Sequence, residues 1–216
     1  ESQGSTLENL RQDTNYLSSN IYGEYTPKLG DDHTLKLLAG WNLETKKYRG
    51  TTIKREGLTV PSKPSFGLMD GLTSDPVVSG YDWSYVGAFF RANYGYQGKY
   101  LAEFSCRYDG SSKFPENSKW GFFPSASIGW RLSEEKFMEW SRNWLDNLKI
   151  RLSAGSMGNG NIDPYKYIDY MTIKTSTVVI GDALGSYTTA PGAIPLSLTW
   201  ETATTYDVGF DMDLFR

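Results

Sequence analysis

Ten consecutive residues decide the fold: Tyr100-Leu101-Ala102-Glu103-Phe104-Ser105-Cys106-Arg107-Tyr108-Asp109. Apolar and aromatic side chains occupy the even positions, and polar or charged side chains occupy the odd ones, with Leu101 as the exception. This two-residue period predicts a β-strand with one apolar face and one polar face. An α-helix does not fit, because its 3.6-residue period would not keep apolar residues on one parity over such a length.

The same alternation recurs along the chain. Clear versions cover residues 35–44, 86–96, 122–132, 148–155 and 206–214, and a weaker one covers 16–25. Leu38 and Phe123 break the parity of otherwise regular stretches. We therefore predict an all-β chain with about seven long antiparallel strands. One short helix is expected near residues 133–144, with Ser133 as its N-cap and two glutamates in its first turn.

The connections alternate between short and long. Short turns are predicted at residues 27–32 and at Gln97-Gly98, whereas long segments cover 50–82 and 158–201, the second with a hairpin around 167–180. Aromatic residues collect at both ends of the strands, which are about 9–11 residues long, as in transmembrane barrels. The pattern predicts an up-and-down meander that forms part of a large transmembrane β-barrel.

A soluble, secreted β-sandwich that binds polysaccharide remains the alternative, because its strands also have one buried and one wet face. The direction of the apolar side chains distinguishes the two folds. In a barrel Phe104, Ile150, Val208 and Phe210 should lie on an outer surface, whereas in a sandwich they should be buried between two sheets.

Composition excludes several other classes of protein. The 216 residues carry a net charge of −3, so the cationic surplus of a general nucleic-acid binder is absent. One cysteine, Cys106, cannot form an internal disulfide, and with a single histidine, His33, a structural zinc site lacks ligands. No apolar stretch approaches the roughly 18 residues of a membrane-spanning helix.

Four ordered blocks stand out along the chain. They are the R-x-D-G-S-S-x-F string at 107–114, the G-x-F-P-S-x-S-x-G-W-x-x-S-E-E stretch at 121–135, the block at 148–155 leading into Gly158-Asn159, and Leu-Thr-Trp-Glu-Thr at 198–202 followed by G-x-D at 209–211. Together they resemble the barrel of SusC/RagA-family TonB-linked outer-membrane transporters, in which the fourth block is similar to L-x-W-E-x-T. Residues 91–213 carry this resemblance, whereas residues 1–80 fit only by their pattern.

The resemblance implies a plugged barrel of roughly 22 strands in the outer membrane of a Gram-negative bacterium. It also implies import of large nutrients, oligosaccharides or other glycans with peptides as the second class, together with a SusD-like surface lipoprotein and the TonB complex as partners. A signal peptide, a TonB box and a plug domain are not found in these residues. We therefore expect residues 1–216 to be an internal segment of the barrel wall, with the TonB contact outside it. A passive porin slice would share this fold but lack the plug and the energy coupling.

Two sets of residues are predicted to face a ligand or the plug. The lumen- or plug-facing set follows from parity and comprises Glu103, Arg107, Asp109, Arg131, Lys149, Arg151, Asp207 and Asp211. Aromatic residues of the long loops are predicted to contact ligand or partner, because rings with polar neighbours suit sugars and peptides alike. These are Phe66, Tyr81, Trp83 and Tyr187.

No enzymatic activity, metal or cofactor is predicted. The adjacent acids Asp31-Asp32 and Glu134-Glu135 diverge rather than converge on one substrate atom. The glycine-rich run at 157–161 lacks the ending of a phosphate loop and is expected to be a turn. Asp207, Asp211 and Asp213 lack the glycine and terminal glutamate of a calcium loop. His33 is expected to be solvated, and the Asp-Gly-Ser-Ser string at 109–112 to shape the exit of a strand.

Overall fold

The computed structural model describes residues 5–168, 173–180, 183–190 and 198–215. Within them the chain forms nine β-strands: β1 Thr6–Tyr25, β2 His33–Glu56, β3 Val77–Tyr96, β4 Tyr100–Ser111, β5 Trp120–Arg131, β6 Leu145–Asn159, β7 Ile173–Ile180, β8 Ala183–Thr188 and β9 Glu201–Leu214. Helical structure in these residues is limited to short 3₁₀ segments at Phe66–Leu68, Glu116–Ser118, Leu132–Glu134 and Lys136–Ser141.

Seven strands form one sheet in the order β1-β2-β3-β4-β5-β6-β9, and β7 pairs with β8 in a separate hairpin. The pairings β3–β4, β4–β5, β5–β6 and β6–β9 are antiparallel. The turn between β3 and β4 has positive φ at both Gln97 and Gly98, the geometry of a tight hairpin turn. The predicted all-β antiparallel meander is confirmed.

The register preserves residue parity across five strands. Odd residues pair with odd residues and even with even, as in Phe104↔Ala126 and Ile128↔Leu152, except at the irregularity beside Leu145. We call the even-numbered side of β4, β5, β6 and β9, with that of residues 86–96 in β3, the apolar face. The odd-numbered side is the polar face. Alternation that is separate in each strand thus becomes two continuous surfaces.

The apolar face is exposed. Phe104 is 44% exposed and Ile150 38%, and on β9 Val208 and Phe210 are 81% and 74% exposed. A sandwich would bury all four between its sheets. The β-sandwich alternative is therefore wrong, because within the described residues no second layer covers this face.

The first three strands are longer than predicted. β1, β2 and β3 contain 20, 24 and 20 residues, so strand extends into both ends of the expected long segment 50–82, as far as Glu56 and from Val77 onward. The apolar parity stops beyond Leu43, where Lys46, Lys47 and Arg49 make both sides of β2 polar. A strand with two wet faces has no period that a hydropathy pattern can detect. In the described residues the hairpin expected around 167–180 consists of β7 paired with β8, and residues 169–172 lie outside the described ones.

The predicted helix near 133–144 is split into two 3₁₀ segments. Glu135 between them has φ −79° and ψ 146°, an extended conformation that interrupts the helix. Ser133 is not the N-cap: it lies inside the first segment, and its buried Oγ has no hydrogen-bond partner. The cap prediction was wrong because the first segment already begins at Leu132, with Arg131 in the N-cap position.

Contacts divide the described chain into two compact units. The first unit contains the chain up to Ser18 together with Glu44–Ser84, and the second contains Ser19–Leu43 together with the chain from Tyr85 onward. Each unit carries its own cluster of aromatic and polar side chains. The two clusters are therefore described separately.

Candidate functional site

Charged side chains of neighbouring strands pair along the polar face. Arg151 on β6 lies 3.0 Å from Asp211 on β9, and Ser153 donates a hydrogen bond of 3.4 Å to Asp207. Lys149 stands opposite both Asp211 and Arg131 in the ladder. The Arg151–Asp211 pair is about half exposed, so it contributes only about 0–1 kcal/mol to stability. These charged groups form a wet surface rather than a structural core.

Glu103 is held more loosely on the same face. Its carboxylate lies 3.9 Å from the guanidinium of Arg91 on β3, with both side chains about half exposed. Glu103 stands opposite Asn93 and Ser127 in the two adjoining ladders. Together with the pairs on β6 and β9, it makes the polar face an array of both charge signs.

Arg107 is the centre of a tighter network in the second unit. Its Nε and Nη2 donate to the two carboxylate oxygens of Asp109 at 3.1 and 3.0 Å, and Nη2 also donates to Asn42 and to the Tyr85 hydroxyl. The guanidinium lies 5.6 Å from the centre of the Phe89 ring. Asp109 is only 4% exposed, whereas the Arg107 side chain is 43% exposed. Asp109 is therefore placed to orient Arg107 rather than to touch a ligand.

Three aromatic rings in the second unit form a packed core, which we call the Trp200 cluster. Phe114 and Phe123 lie 5.0 and 5.5 Å from the Trp200 ring, and all three are buried. The indole N–H of Trp200 donates to the carbonyl of Lys119 at 3.1 Å. Tyr85 packs against the edge of the cluster. Phe123 breaks the parity of β5 because it belongs to this core on the polar face.

Glycines make room for these rings. A Cβ atom on Gly158 would lie 1.9 Å from the ζ carbon of Phe123, and one on Gly121 would lie 2.4 Å from it. A Cβ on Gly160 would lie 2.7 Å from the Trp200 ring. Gly158 lies in β6, so the first half of the glycine-rich run at 157–161 is strand, not the expected turn. Gly158 and Gly160 of this run leave space for the rings of Phe123 and Trp200.

The Trp200 cluster joins blocks that are distant in sequence. Phe114 ends the R-x-D-G-S-S-x-F string, Phe123 belongs to G-x-F-P-S, and Trp200 belongs to L-x-W-E. The string at 109–112 shapes the end of β4: the Ser111 amide donates to the Lys119 carbonyl and closes the connection to β5. Sequence reasoning treated these blocks one at a time and missed the cluster. The available signal was that each of the three blocks contains a large aromatic residue.

The first unit carries four half-buried to exposed rings, which we call the aromatic platform: Tyr16, Tyr48, Tyr81 and Trp83. Tyr48 and Tyr81 stack at 5.0 Å with their planes 25° apart, and Tyr16 lies 6.4 Å from Trp83. Tyr81 and Trp83 lie in β3 and not in a loop, so their predicted location was wrong although they do lie together. They share one side of the strand because they are two residues apart.

Polar groups surround the aromatic platform. Gln12 donates a hydrogen bond of 2.9 Å to the Tyr48 hydroxyl, and the Tyr16 hydroxyl donates to Glu44 at 2.9 Å. The ammonium of Lys46 lies 5.5 Å from the centre of the Tyr81 ring. Rings bordered by an amide, a carboxylate and an ammonium can bind a ligand through stacking and hydrogen bonds together.

The other expected contact residues are placed elsewhere. Phe66 begins a 3₁₀ segment, and its carbonyl accepts a hydrogen bond from Arg55. Tyr187 is exposed on β8. Asp82, between the two platform residues of β3, points to the opposite side and forms a two-bond ion pair with Arg49. Hydrogen bonding to that guanidinium lowers the pKa of the Asp82 carboxyl.

A second polar cluster, which we call the rim cluster, ties the 3₁₀ region to the strands. Glu135 Oε1 accepts hydrogen bonds from the Tyr100 hydroxyl at 2.6 Å and from the Trp130 indole at 3.1 Å, and the ammonium of Lys99 lies 3.7 Å away. The hydrogen bond from Tyr100, then that from Trp130, lowers the pKa of the Glu135 carboxyl. His33 joins the neighbouring aromatic rings, 2.8 Å from the Tyr94 hydroxyl.

Neither a metal cluster nor a membrane-spanning helix is found in the described part of the chain. No group of three or more His, Cys, Asp or Glu side chains there is arranged to hold a metal ion. No helix there is both long and apolar enough to cross a bilayer.

Comparisons with known proteins agree on one family. The family model described as "TonB dependent receptor-like, beta-barrel" matches residues 2–216. The chain is 34% identical over 209 residues to TonB-dependent receptor P3 of Formosa agariphila, covering 95% of this chain and 20% of the relative. It is 38% identical over 129 residues to TonB-dependent receptor SusC of Bacteroides thetaiotaomicron, covering 58% of this chain and 13% of the relative.

The fold is shared with a solved structure described as the RagAB peptide transporter. The TM-score is 0.79 at 24% identity, over 96% of this chain and 23% of that chain. The chain thus spans only 13–20% of the length of the curated relatives it matches.

Proposed function

Because this chain belongs to the TonB-dependent receptor-like β-barrel family, we propose that it forms part of the wall of an energy-coupled importer of large nutrients. Barrels of this family are outer-membrane proteins of Gram-negative bacteria. The observation that carries the proposal is the continuous, exposed apolar face backed by a charged polar face. A barrel wall with lipid outside and water or a plug inside needs this division.

The polar face is proposed to line the lumen or to contact the plug. Its exposed charges would supply the contacts: Glu103, Arg107, Arg131, Lys149, Arg151, Asp207 and Asp211. Asp109 belongs to the same face but acts through Arg107, since its own carboxylate is buried. The wall is proposed to catalyse no reaction, in keeping with a family of receptors and transporters.

Two protein partners are part of the proposal. A SusD-like surface lipoprotein would cover the barrel and deliver substrate, and the TonB complex would supply energy through a contact outside this segment. The identity of 38% to a receptor named SusC supports the first partner, and the family supports the second.

The proposed substrates are oligosaccharides or larger glycans, and the aromatic platform supports this class. Sugar rings have apolar faces that stack on tyrosine and tryptophan, and hydroxyl edges that pair with amides and carboxylates. Tyr16 and Trp83 provide rings, while Gln12, Glu44 and Lys46 provide polar groups around them.

The importer is tested by comparing uptake in a strain that lacks the full-length gene with uptake in the same strain carrying the intact gene. Cells carrying the intact gene should take up fluorescently labelled oligosaccharides of a glycan panel, and uptake should stop when TonB is deleted or the proton gradient is collapsed. Energy-independent uptake would instead indicate a porin. Uptake of labelled peptides but of no glycan would replace the substrate class and leave the importer standing.

Variants of the full-length protein test the platform. Tyr81→Ala and Trp83→Ala should each weaken binding of the transported oligosaccharide by about 1–2 kcal/mol, a factor of about 5–30 in affinity. Val78→Ala is the matched control, since Val78 is exposed on the opposite side of the same strand. Equal affinity for the intact protein and all three variants would remove the platform from the substrate path.

A further inference from the structure

We propose that the apolar face holds one acyl chain of a phospholipid from the periplasmic leaflet of the outer membrane. A groove of about 610 Å³ opens on this face, within the roughly 300–1,000 Å³ of small-molecule sites. Its lining is almost wholly hydrocarbon and includes Tyr94, Tyr100, Ala102, Ile128, Trp130 and Leu152. The lining contains no charged side chain of the polar face and no residue of the aromatic platform, so this site is separate from the proposed substrate path. The inference rests on the proposed function, in which the apolar face meets lipid.

The strand register explains why a groove forms here. Ala102 pairs with Tyr94 on β3 and with Ile128 on β5, so one methyl group stands between two large side chains in a single cross-strand row. The next row, toward the turn, contains the Tyr100↔Trp130 pair. The small Ala102 thus makes a floor with aromatic walls. With strands about 4.8 Å apart, a groove from β3 to β6 is roughly 15 Å long, which suits a stretch of acyl chain.

The walls of the groove are fixed before any ligand binds. Tyr100 and Trp130 stack 6.3 Å apart with their planes 15° apart, and both donate hydrogen bonds to Glu135. The Tyr94 hydroxyl is 2.8 Å from a ring nitrogen of His33. A preorganised wall loses little side-chain entropy when a ligand enters. A chain in this groove should therefore be retained better than ordinary lipid around the barrel.

The position of the groove identifies the occupant. It is continuous with the lipid-facing surface, where hydrocarbon chains are the surrounding solvent. Its aromatic walls lie near the Gln97-Gly98 turn, and short turns face the periplasm in outer-membrane barrels. Phospholipids form that leaflet. An acyl chain of a phospholipid, rather than a soluble apolar ligand, is the molecule available at this depth.

Lipid retained by the purified full-length protein tests the site. The protein is extracted from outer membranes, washed in detergent until the lipid content is constant, and its phospholipid is counted by native mass spectrometry. The intact protein should keep about one phospholipid per barrel in excess of Ala102→Phe. That substitution fills the floor, and we expect it to weaken the affinity for the lipid about tenfold, equivalent to about 1.4 kcal/mol.

Ala126→Phe is the matched control. Ala126 is exposed on the apolar face of β5 but does not line the groove, so its phenylalanine variant should keep the lipid. If Ala102→Phe fails to assemble, Ala102→Leu replaces it. Retention that is equal in the intact protein and both variants, or absent from the intact protein, would overturn the site. Neither result bears on energy-coupled uptake, which is measured separately.

Discussion

Truncation of Phe114 to alanine should destabilise the connection between β4 and β5, so that it unfolds locally more often. The Phe114 side chain is fully buried and stacks against Trp200. Loss of a buried phenylalanine costs about 3–5 kcal/mol once the cavity is included. Ring contact with Trp200 accounts for about 0.5–1.5 kcal/mol of that cost.

Hydrogen exchange of the full-length protein measures this loss locally. The Ser111 amide donates to the Lys119 carbonyl, which also accepts the Trp200 indole N–H. A loss of about 3–5 kcal/mol predicts exchange faster by roughly two to four orders of magnitude in peptides covering this connection.

A control separates this effect from general destabilisation. Leu72 is 84% exposed, so Leu72→Ala should leave exchange in the same peptides unchanged. An acceleration of less than about tenfold in Phe114→Ala, or an equal one in Leu72→Ala, would refute the reasoning that the Trp200 cluster is a packed core.

Three further predictions concern single side chains. Gly158→Ala should lower the free energy of unfolding by about 1–3 kcal/mol, because the new methyl group would overlap the Phe123 ring. The loss is measured as heat-induced unfolding on gels. Gly23→Ala should change little, because nothing lies within 4 Å of its new Cβ. Arg107→Ala should lower the free energy of unfolding by about 1–3 kcal/mol, because the buried Asp109 carboxylate loses the two hydrogen bonds that the guanidinium donates. Arg107→Lys should restore only part of this stability. Full stability of Arg107→Ala in the same assay would contradict the network. Because the pKa of Glu135 is lowered in the folded protein, its carboxylate should stabilise the rim cluster fully above the ordinary glutamate pKa. This stabilisation should be lost as the pH falls through the folded value. Tryptophan fluorescence should show the transition in the intact protein and not in Glu135→Gln.

The sequence predicted the parts of the fold in which only one face of a strand is apolar. β4, β5 and the centre of β6 alternate cleanly, and their predicted limits lie close to the observed ones. The upper part of β2 escaped prediction because lysine and arginine occur on both of its sides. The start of β3 escaped it because Val77-Val78 and Ser79-Gly80 do not alternate in hydropathy. Cross-strand pairing, not hydropathy, extends these strands.

The candidate site was predictable in its polarity but not in its packing. Parity predicted that Arg107, Arg151 and Asp211 share one face, and the register joins residues of equal parity across these strands. The Trp200 cluster was missed because residues 114, 123 and 200 meet only through tertiary structure. Asp109 shows the same limit: its parity was correct, yet its burial depends on partners in other strands.

The preserved parity of the sheet limits how this wall can change in evolution. The pairings among β3, β4, β5, β6 and β9 join residues of equal parity, apart from the irregularity at Leu145. Inserting or deleting one residue within β5 would therefore move the side chains beyond that point to the opposite face of the sheet. Arg131 or the serines of this strand would then meet lipid, while isoleucine or tryptophan met water. We therefore expect length variation in the connections, such as residues 57–76, rather than in these strands. Related barrels should thus diversify by loop exchange over a strand frame that tolerates replacement of residues but not a change in their number.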